Sequence, residues 1–186
     1  SYSPKAVDMK SILKPPSSEH LFGTDKIGRD VFARVLYGGR MSIAIGFGSA
    51  MGCAIIGVLI GCYSAYRGGW FDSLMVRVSE VFMSVPQLIL VLMLVAILGQ
   101  SAKNIVIIFI ICGWGSCFRM ARSQVLSIRE EEYVQSLNVF GLNPFVICYK
   151  HILPNALSPI IVNVTLSTAM FILEEAALSF LGLGVP

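Results

Sequence analysis

Four long stretches of this 186-residue chain contain no Asp, Glu, Lys or Arg: residues 41–66, 81–102, 104–118 and 156–173. The last resumes after Glu174 and Glu175 and continues to Gly184. At about 1.5 Å per helical residue the first would reach about 39 Å, enough to cross a hydrocarbon core of about 30 Å with some tilt. The third is short and needs Lys103 and Arg119 to reach outward to the interfaces. Closed β-barrels carry alternating polarity in short strands, and these runs do not alternate. The expected fold is therefore an all-α, polytopic membrane protein with four spans. Composition agrees, since 55% of the residues are hydrophobic and only 13% are charged. A soluble domain of this size carries about a quarter charged residues to cover its surface.

The net charge of +3 comes from dispersed basic residues, which gives no nucleic-acid footprint. The five cysteines, Cys53, Cys62, Cys112, Cys117 and Cys148, lack C-x-x-C spacing and read as free, buried thiols. Only His20 and His151 are available to complete a zinc site. The chain starts at Ser1 and stops just past an apolar run, so it reads as a fragment. Its first twenty residues are polar and contain no signal peptide.

Within the first span, Gly48-x-x-x-Gly52 and Gly57-x-x-x-Gly61 place small residues on one face, where another helix can approach closely. No G-x-x-x-x-G-K-[ST] nucleotide loop occurs. Pro86 lies inside the second span and is expected to kink it, as a packing device or as part of a gate. Glu174 and Glu175 are costly in a span and should face protein or water. They either line a translocation path or pair locally at the helix end. Arg77 and Glu80 read as an interface ion pair. With four spans, eight Lys and Arg fall on one side and six on the other, so charge alone does not orient the chain.

The long connection at 119–155 reads as two short helices. The first is expected at about 129–140, with Tyr133, Leu137 and Phe140 as an apolar stripe and Glu130 to Glu132 in its first turn. Gly141 should end it. Asn143 and Pro144 should cap and start the second, which is expected to end at Leu153, Pro154 and Asn155. Composition leaves open an interfacial helix pair that merely connects spans.

This connection resembles the cytoplasmic loop of bacterial ABC-importer permease subunits. The family motif reads E-A-A, three residues, G, nine residues, I-x-L-P. Gly141, Leu153 and Pro154 match it, whereas Gln135, Ser136 and Leu137 stand at the E-A-A positions and His151 at the Ile position. His20-Leu-Phe-Gly-Thr-Asp-Lys-Ile-Gly-Arg-Asp30, Leu36-Tyr-Gly-Gly-Arg40, Lys150-His-Ile-Leu-Pro-Asn155 and Glu175-Ala-Ala-Leu-Ser-Phe-Leu-Gly-Leu-Gly184 are similar to the dipeptide, oligopeptide and nickel branch. The resemblance covers nearly the whole chain from residue 19.

The resemblance implies a type I ABC-importer permease fold, methionine-importer-like, with six spans in the full protein. It implies an extracytoplasmic segment at 1–40 and a transmembrane permease domain at 41–186. The chain would form half of a peptide pathway in the bacterial inner membrane. It would itself be non-catalytic and hold no cofactor, with ATP and Mg bound by two partner ATPase subunits. Other implied partners are a second permease subunit and an extracytoplasmic solute-binding protein. ATPase coupling would fall on Glu132, Tyr133, Gln135, Ser136, Gly141, Leu142, Asn143, Pro144, His151, Leu153 and Pro154. Glu130 to Glu132 stand near the position that lacks the motif's carboxylate. Pro86, Glu174 and Glu175 are the candidate pathway residues. Because the family often carries Glu at position 175 whatever its substrate, the local-pairing reading of the two glutamates is favoured. Nickel or metal-chelate import is the alternative within the family. An ion-driven secondary transporter is the alternative of another class, but it would want an internal repeat and mid-membrane carboxylates. An intramembrane enzyme would want ligands or a Ser-His pair inside the spans, where neither histidine lies.

Overall fold

The computed structural model describes Asp8 and residues 11–185. Its contacts divide the chain into two compact units, residues 1–44 and 45–186.

In the first unit a polar turn is built around two aspartates. The Asp25 carboxylate accepts hydrogen bonds from the backbone N–H of Ile27 (3.0 Å) and Arg29 (2.9 Å). It also takes the guanidinium groups of Arg29 and Arg34, each at 2.8 Å. Asp30 caps the following helix by accepting from the Ala33 N–H at 2.7 Å, and its other oxygen meets His20 Nδ1 at 2.7 Å. Thr24 donates to the carbonyl of Ser11 and accepts from the N–H of Lys14. The 20–30 motif is thus a self-satisfying network of side-chain and backbone bonds.

Partial burial pushes the Asp25 carboxyl upward, but the N–H groups of Arg29 and Ile27 and the Arg29 guanidinium outweigh it and hold it at about 2, below the ordinary 3.8. Asp30 is lowered too, first by the Ala33 N–H and then by His20. A depressed folded-state value stabilises the fold above the unfolded value, and that contribution is lost as pH falls through the folded one. Protection of the Ile27 and Arg29 amides, taken relative to intrinsic exchange at each pH, is therefore expected to hold down to about pH 4 and to fall towards pH 2. Asp25→Asn should flatten that acid dependence.

Six helices organise the described residues: α1 (Val31–Arg67), α2 (Gly69–Met83), α3 (Gln87–Leu98), α4 (Ala102–Ile128), α5 (Glu132–Val139) and α6 (Pro144–Phe180). Helices α1, α4 and α6 are each long and apolar enough to cross a membrane. The count becomes four if α2 and α3 are taken as one broken span.

Three sequence expectations change here. The 81–102 run is a break rather than a kink: α2 stops at Met83, Pro86 is the N-cap of α3, and the two helices meet at 81°. Proline supplies no N–H to the turn before it, and the Ser84 hydroxyl donates to the carbonyl of Val81 at 2.7 Å, so the ladder ends there. Helix α3 alone is about 18 Å long, too short to span. The third run extends beyond Phe118, since α4 continues to Ile128. Finally, the helix expected to end at residues 153–155 does not end. It passes through a π turn (Ile147–Ile152) and a 3-10 turn (Leu153–Ala156) into the α-helical stretch Leu157–Phe180. The rerouted bonds accommodate Pro154, and the Asn155 amide donates to the carbonyl of His151 at 2.8 Å.

In the second unit α1 lies against α4 through its small residues. A Cβ at Gly57 would sit 2.6 Å from Cys117 Cβ and 2.7 Å from the Phe118 nitrogen. One at Gly61 would sit 2.7 Å from the Phe118 oxygen, and Gly52 faces Ile110. Gly48 faces open space, which corrects its place in the packing motif. Gly46, which the motif did not include, faces α6 at Ile172 and Thr168. All five cysteines are buried as free thiols.

Candidate functional site

The connection between α4 and α6 is a compact elbow at residues 129–155. Helix α4 ends with Arg129 as its C-cap, so the connection expected at 119–155 begins at about 129, where the sequence places the first of its short helices, and α5 follows from Glu132. Glu131 is the N-cap of α5, which leaves only Glu132 of the three glutamates in its first turn. After α5 the chain reverses at Gly141, whose φ is +71°. The Gly141 N–H donates to the carbonyl of Asn138 (3.0 Å) and the Leu142 N–H to that of Leu137 (3.4 Å). This pair of bonds is a Schellman motif, and Leu137 and Leu142, at the two positions that are usually apolar in it, both pack on one buried cluster. Asn143 then accepts from the Phe145 N–H at 2.9 Å, and Pro144 opens α6.

Of the predicted apolar stripe of α5, Leu137 packs on the buried cluster and the two aromatic members do not. Val134 is the buried residue, while Tyr133 and Phe140 are exposed. Tyr133 accepts a hydrogen bond from the Asn155 amide at 3.0 Å, which ties the two legs of the elbow together. The aromatic residues have the larger apolar surfaces, but azimuth around the helix decides which side chains meet the core, and residues 134 and 137 point inward. Gln135 and Ser136 turn back on the backbone and donate to the carbonyls of Glu130 (3.0 Å) and Glu132 (2.9 Å). Leu153 packs against the inner cluster, His151 is half-buried and Pro154 is exposed. The tip presents Val139 (87% exposed), Phe140 (79%), Phe145 and Val146 as exposed apolar surface, and exposed Glu130, Glu131 and Glu132 lie at the other end of α5. Apolar surface gathered on a projecting turn suits it to burial against another protein.

Several residues that anchor this elbow carry no signal in the linear sequence. The Tyr66 hydroxyl bonds to the Asn138 side chain, that of Tyr149 donates to the carbonyl of Leu59 (2.8 Å), and the Arg129 guanidinium donates to the carbonyl of Ala65 (3.1 Å). Phe145 stacks on Tyr63 with ring centroids 4.9 Å apart. Behind the elbow, Arg122 grips Asp72 with two bonds of 2.7 and 2.6 Å, and Ser64 donates to the same carboxylate at 2.6 Å. The pair joins α2 to α4 and Ser64 adds α1. Only the opposite charges at the edges of apolar runs hinted at it. Both side chains are largely covered. Asp72→Asn is expected to cost about 2 kcal/mol by leaving the guanidinium without a counter-ion. Arg122→Met in that background should cost much less than the two single changes added together, as measured by denaturation in mixed micelles. Strictly additive losses would show that the pair is not coupled.

The pathway candidates lie elsewhere, about 30 Å along α6 from Pro154. Pro86 caps α3, and the next residue, Gln87, donates through its side-chain amide to Glu174 at 2.9 Å. Glu175 is 8% exposed and accepts from the Ser179 hydroxyl at 3.0 Å. Arg77 pairs with Glu80 at 2.9 Å, and Arg119 approaches the same carboxylate at 3.9 Å.

The model of the family described as "Binding-protein-dependent transport system inner membrane component" matches residues 57–186. The dipeptide transport system permease protein of Alkalihalophilus pseudofirmus is 44% identical over 172 residues, covering 92% of this chain and 57% of that protein. The oligopeptide transport system permease protein of Bacillus subtilis is 40% identical over 185 residues, covering 100% of this chain and 61% of the relative. The dipeptide transport system permease protein of the same organism is 41% identical over 186 residues, covering 98% and 58%. The chain thus spans about three fifths of the length of these relatives. The elbow lies wholly within the matched residues, as do α2 to α6 and the end of α1, and the chain belongs to the family of binding-protein-dependent transport system inner membrane components.

Proposed function

We propose that this chain is a permease subunit of an ATP-driven importer, forming half of the pathway by which di- or oligopeptides cross the bacterial inner membrane. The observation that carries the reading is the elbow. It is a projecting apolar tip held by a glycine reversal, an Asn-Pro restart and bonds to α1, and it is continuous with two membrane helices. Such a piece can receive force at its tip and pass it to spans without dissipating it in a flexible loop. The tip, with Gly141, Leu142, Asn143 and Pro144 at its centre, would dock on a separate ATPase subunit in the cytoplasm, where ATP and Mg are bound. Gln135 brings no charge to that contact, so Glu130 to Glu132 are its nearest carboxylates. A second permease subunit would complete the pathway, and an extracytoplasmic binding protein would deliver the solute. The peptide substrate is supported by the names of the relatives. In this reading the Gln87–Glu174 contact at the break joins α3 to α6 beside the path.

The test is purification of the full complex, reconstitution in proteoliposomes, and measurement of ATP hydrolysis with di- and oligopeptides or a nickel chelate. Stimulation by peptides supports the reading. Stimulation by the chelate alone would replace the substrate, and absence of a copurifying ATPase would remove the importer reading.

A further inference from the structure

The elbow is covalently continuous with α4 at Arg129 and is itself the start of α6, so those two helices must follow its movement. Helix α1 has no such connection, yet the elbow is strapped to it by three bonds, one at Leu59 and two at the adjacent Ala65 and Tyr66. The Tyr149 hydroxyl, on the π turn, donates to the carbonyl of Leu59 at 2.8 Å. The Arg129 guanidinium donates to that of Ala65 at 3.1 Å, near the C-terminal end of α1 where carbonyls lack helical partners. The Tyr66 hydroxyl reaches Asn138 on α5. Between these bonds Tyr63 stacks on Phe145 (4.9 Å, 21°) and Phe145 on Tyr149 (6.0 Å, 23°). Beneath them Val58, Cys62 and Ala65 share a buried cluster with Val134, Ile147 and Ile152. Each hydroxyl or guanidinium reaches from one element to another, so each bond stretches if the elbow moves and α1 does not.

Residues 45–67 of α1 contain no proline and run uninterrupted for about 35 Å. A displacement at their elbow end therefore reaches the far end, whereas the break at Pro86 denies α2 and α3 that stiffness.

Resting on the permease reading above, we propose that residues 59–66 of α1 receive the elbow's movement. Tyr66, Tyr149 and Arg129 are then positioning residues that couple ATP hydrolysis to solute transport.

The test uses the complete complex in proteoliposomes, with ATP hydrolysis and peptide uptake measured on the same samples. The Tyr66→Phe/Tyr149→Phe double variant removes two hydroxyls and leaves every ring in place. It is expected to keep hydrolysis within about twofold of wild type while peptide imported per ATP falls at least about threefold. Arg129→Met should uncouple in the same way, and Arg129→Lys, which keeps a donor, should restore the ratio. Tyr37→Phe removes an exposed hydroxyl on α1 some twenty residues before the strapped stretch, and should leave the ratio unchanged. The proposal is overturned by a wild-type ratio in the double variant, or by hydrolysis and uptake falling in proportion, which would mean weakened docking or folding. A wild-type complex that neither hydrolyses ATP nor imports peptide would instead remove the permease reading itself.

Discussion

Gly57→Leu is expected to prevent α1 from seating on α4 and to lower the protein's thermal stability more than any other single change considered for the helix packing. A Cβ at this position would stand 2.6 Å from Cys117 Cβ, 2.7 Å from the backbone nitrogen of Phe118 and 2.8 Å from the carbonyl oxygen of Trp114. Two of these three are backbone atoms, so no change of rotamer can relieve the clash and the helices must separate. Separation is costly because it forfeits the close contacts between them, and lipid, being as apolar as the side chains, supplies no hydrophobic drive to bring the helices back together. What holds helices together in a bilayer is close packing and not exclusion of water. Overpacking by a methylene or two costs about 1–3 kcal/mol, and a leucine against backbone should exceed that range. Gly57→Ala should already destabilise, even though alanine favours the helix itself by up to about 1 kcal/mol. Gly48 supplies the control, since a Cβ there meets nothing within 4 Å and Gly48→Ala should be neutral or mildly stabilising. Melting curves in detergent, read by loss of the monodisperse peak after heating, decide the matter. Equal melting of Gly57→Leu and Gly48→Leu would mean that α1 and α4 do not approach as described.

At Gly141 the largest functional effect is expected with little loss of fold. Gly141→Val should abolish ATP-dependent uptake in vesicles while the protein still accumulates in the membrane. Crowding is not the cause, because a Cβ there would meet nothing within 4 Å. The cause is the backbone, since φ is +71° and a β-branched residue strongly resists that region. For an ordinary L-residue the left-handed conformation costs about 1–2 kcal/mol, and valine stands at the unfavourable end. Abandoning it breaks the bonds from Gly141 to Asn138 and from Leu142 to Leu137, which set the angle between α5 and α6. The exposed tip at Val139, Phe140 and Phe145 would then point elsewhere. Asparagine tolerates positive φ better than other residues with a side chain, so Gly141→Asn should retain much of the uptake. Uptake at the wild-type level in Gly141→Val vesicles would show that the reversal has no part in coupling.

How much of this was legible in the sequence depends on how far apart the interacting residues lie. Gly141 as a helix stop and Asn143-Pro144 as a restart were readable, because each is set by the dihedral preferences of a few adjacent residues. The apolar runs were readable because a bilayer imposes length and composition on any helix that crosses it. The C-terminal end of α4 is not legible in the sequence, since Arg119 reads as an interface charge and Arg122 as part of the connection. Their partners, Glu80 and Asp72, lie some forty to fifty residues earlier, and no local pattern links them. The stripe on α5 holds at Leu137 but not at Tyr133 or Phe140, for a related reason. Periodicity identifies candidate faces, but Val134 rather than Tyr133 or Phe140 turns toward Ile147 and Ile152 only because of how the second leg of the elbow is placed.

Residue order alone shows the helical, membrane-crossing character of this chain, the glycine that reverses it at the elbow and the Asn-Pro restart that follows. Those features follow from interactions within a few residues and from the demands of lipid. Tertiary structure alone decided which glycines touch a neighbouring helix, that the chain bends by 81° at Pro86, and that Tyr66, Tyr149 and Arg129 tie the elbow to α1. Each of these depends on the rotation and approach of helices distant in the chain, and many arrangements of the same helices satisfy the same local preferences.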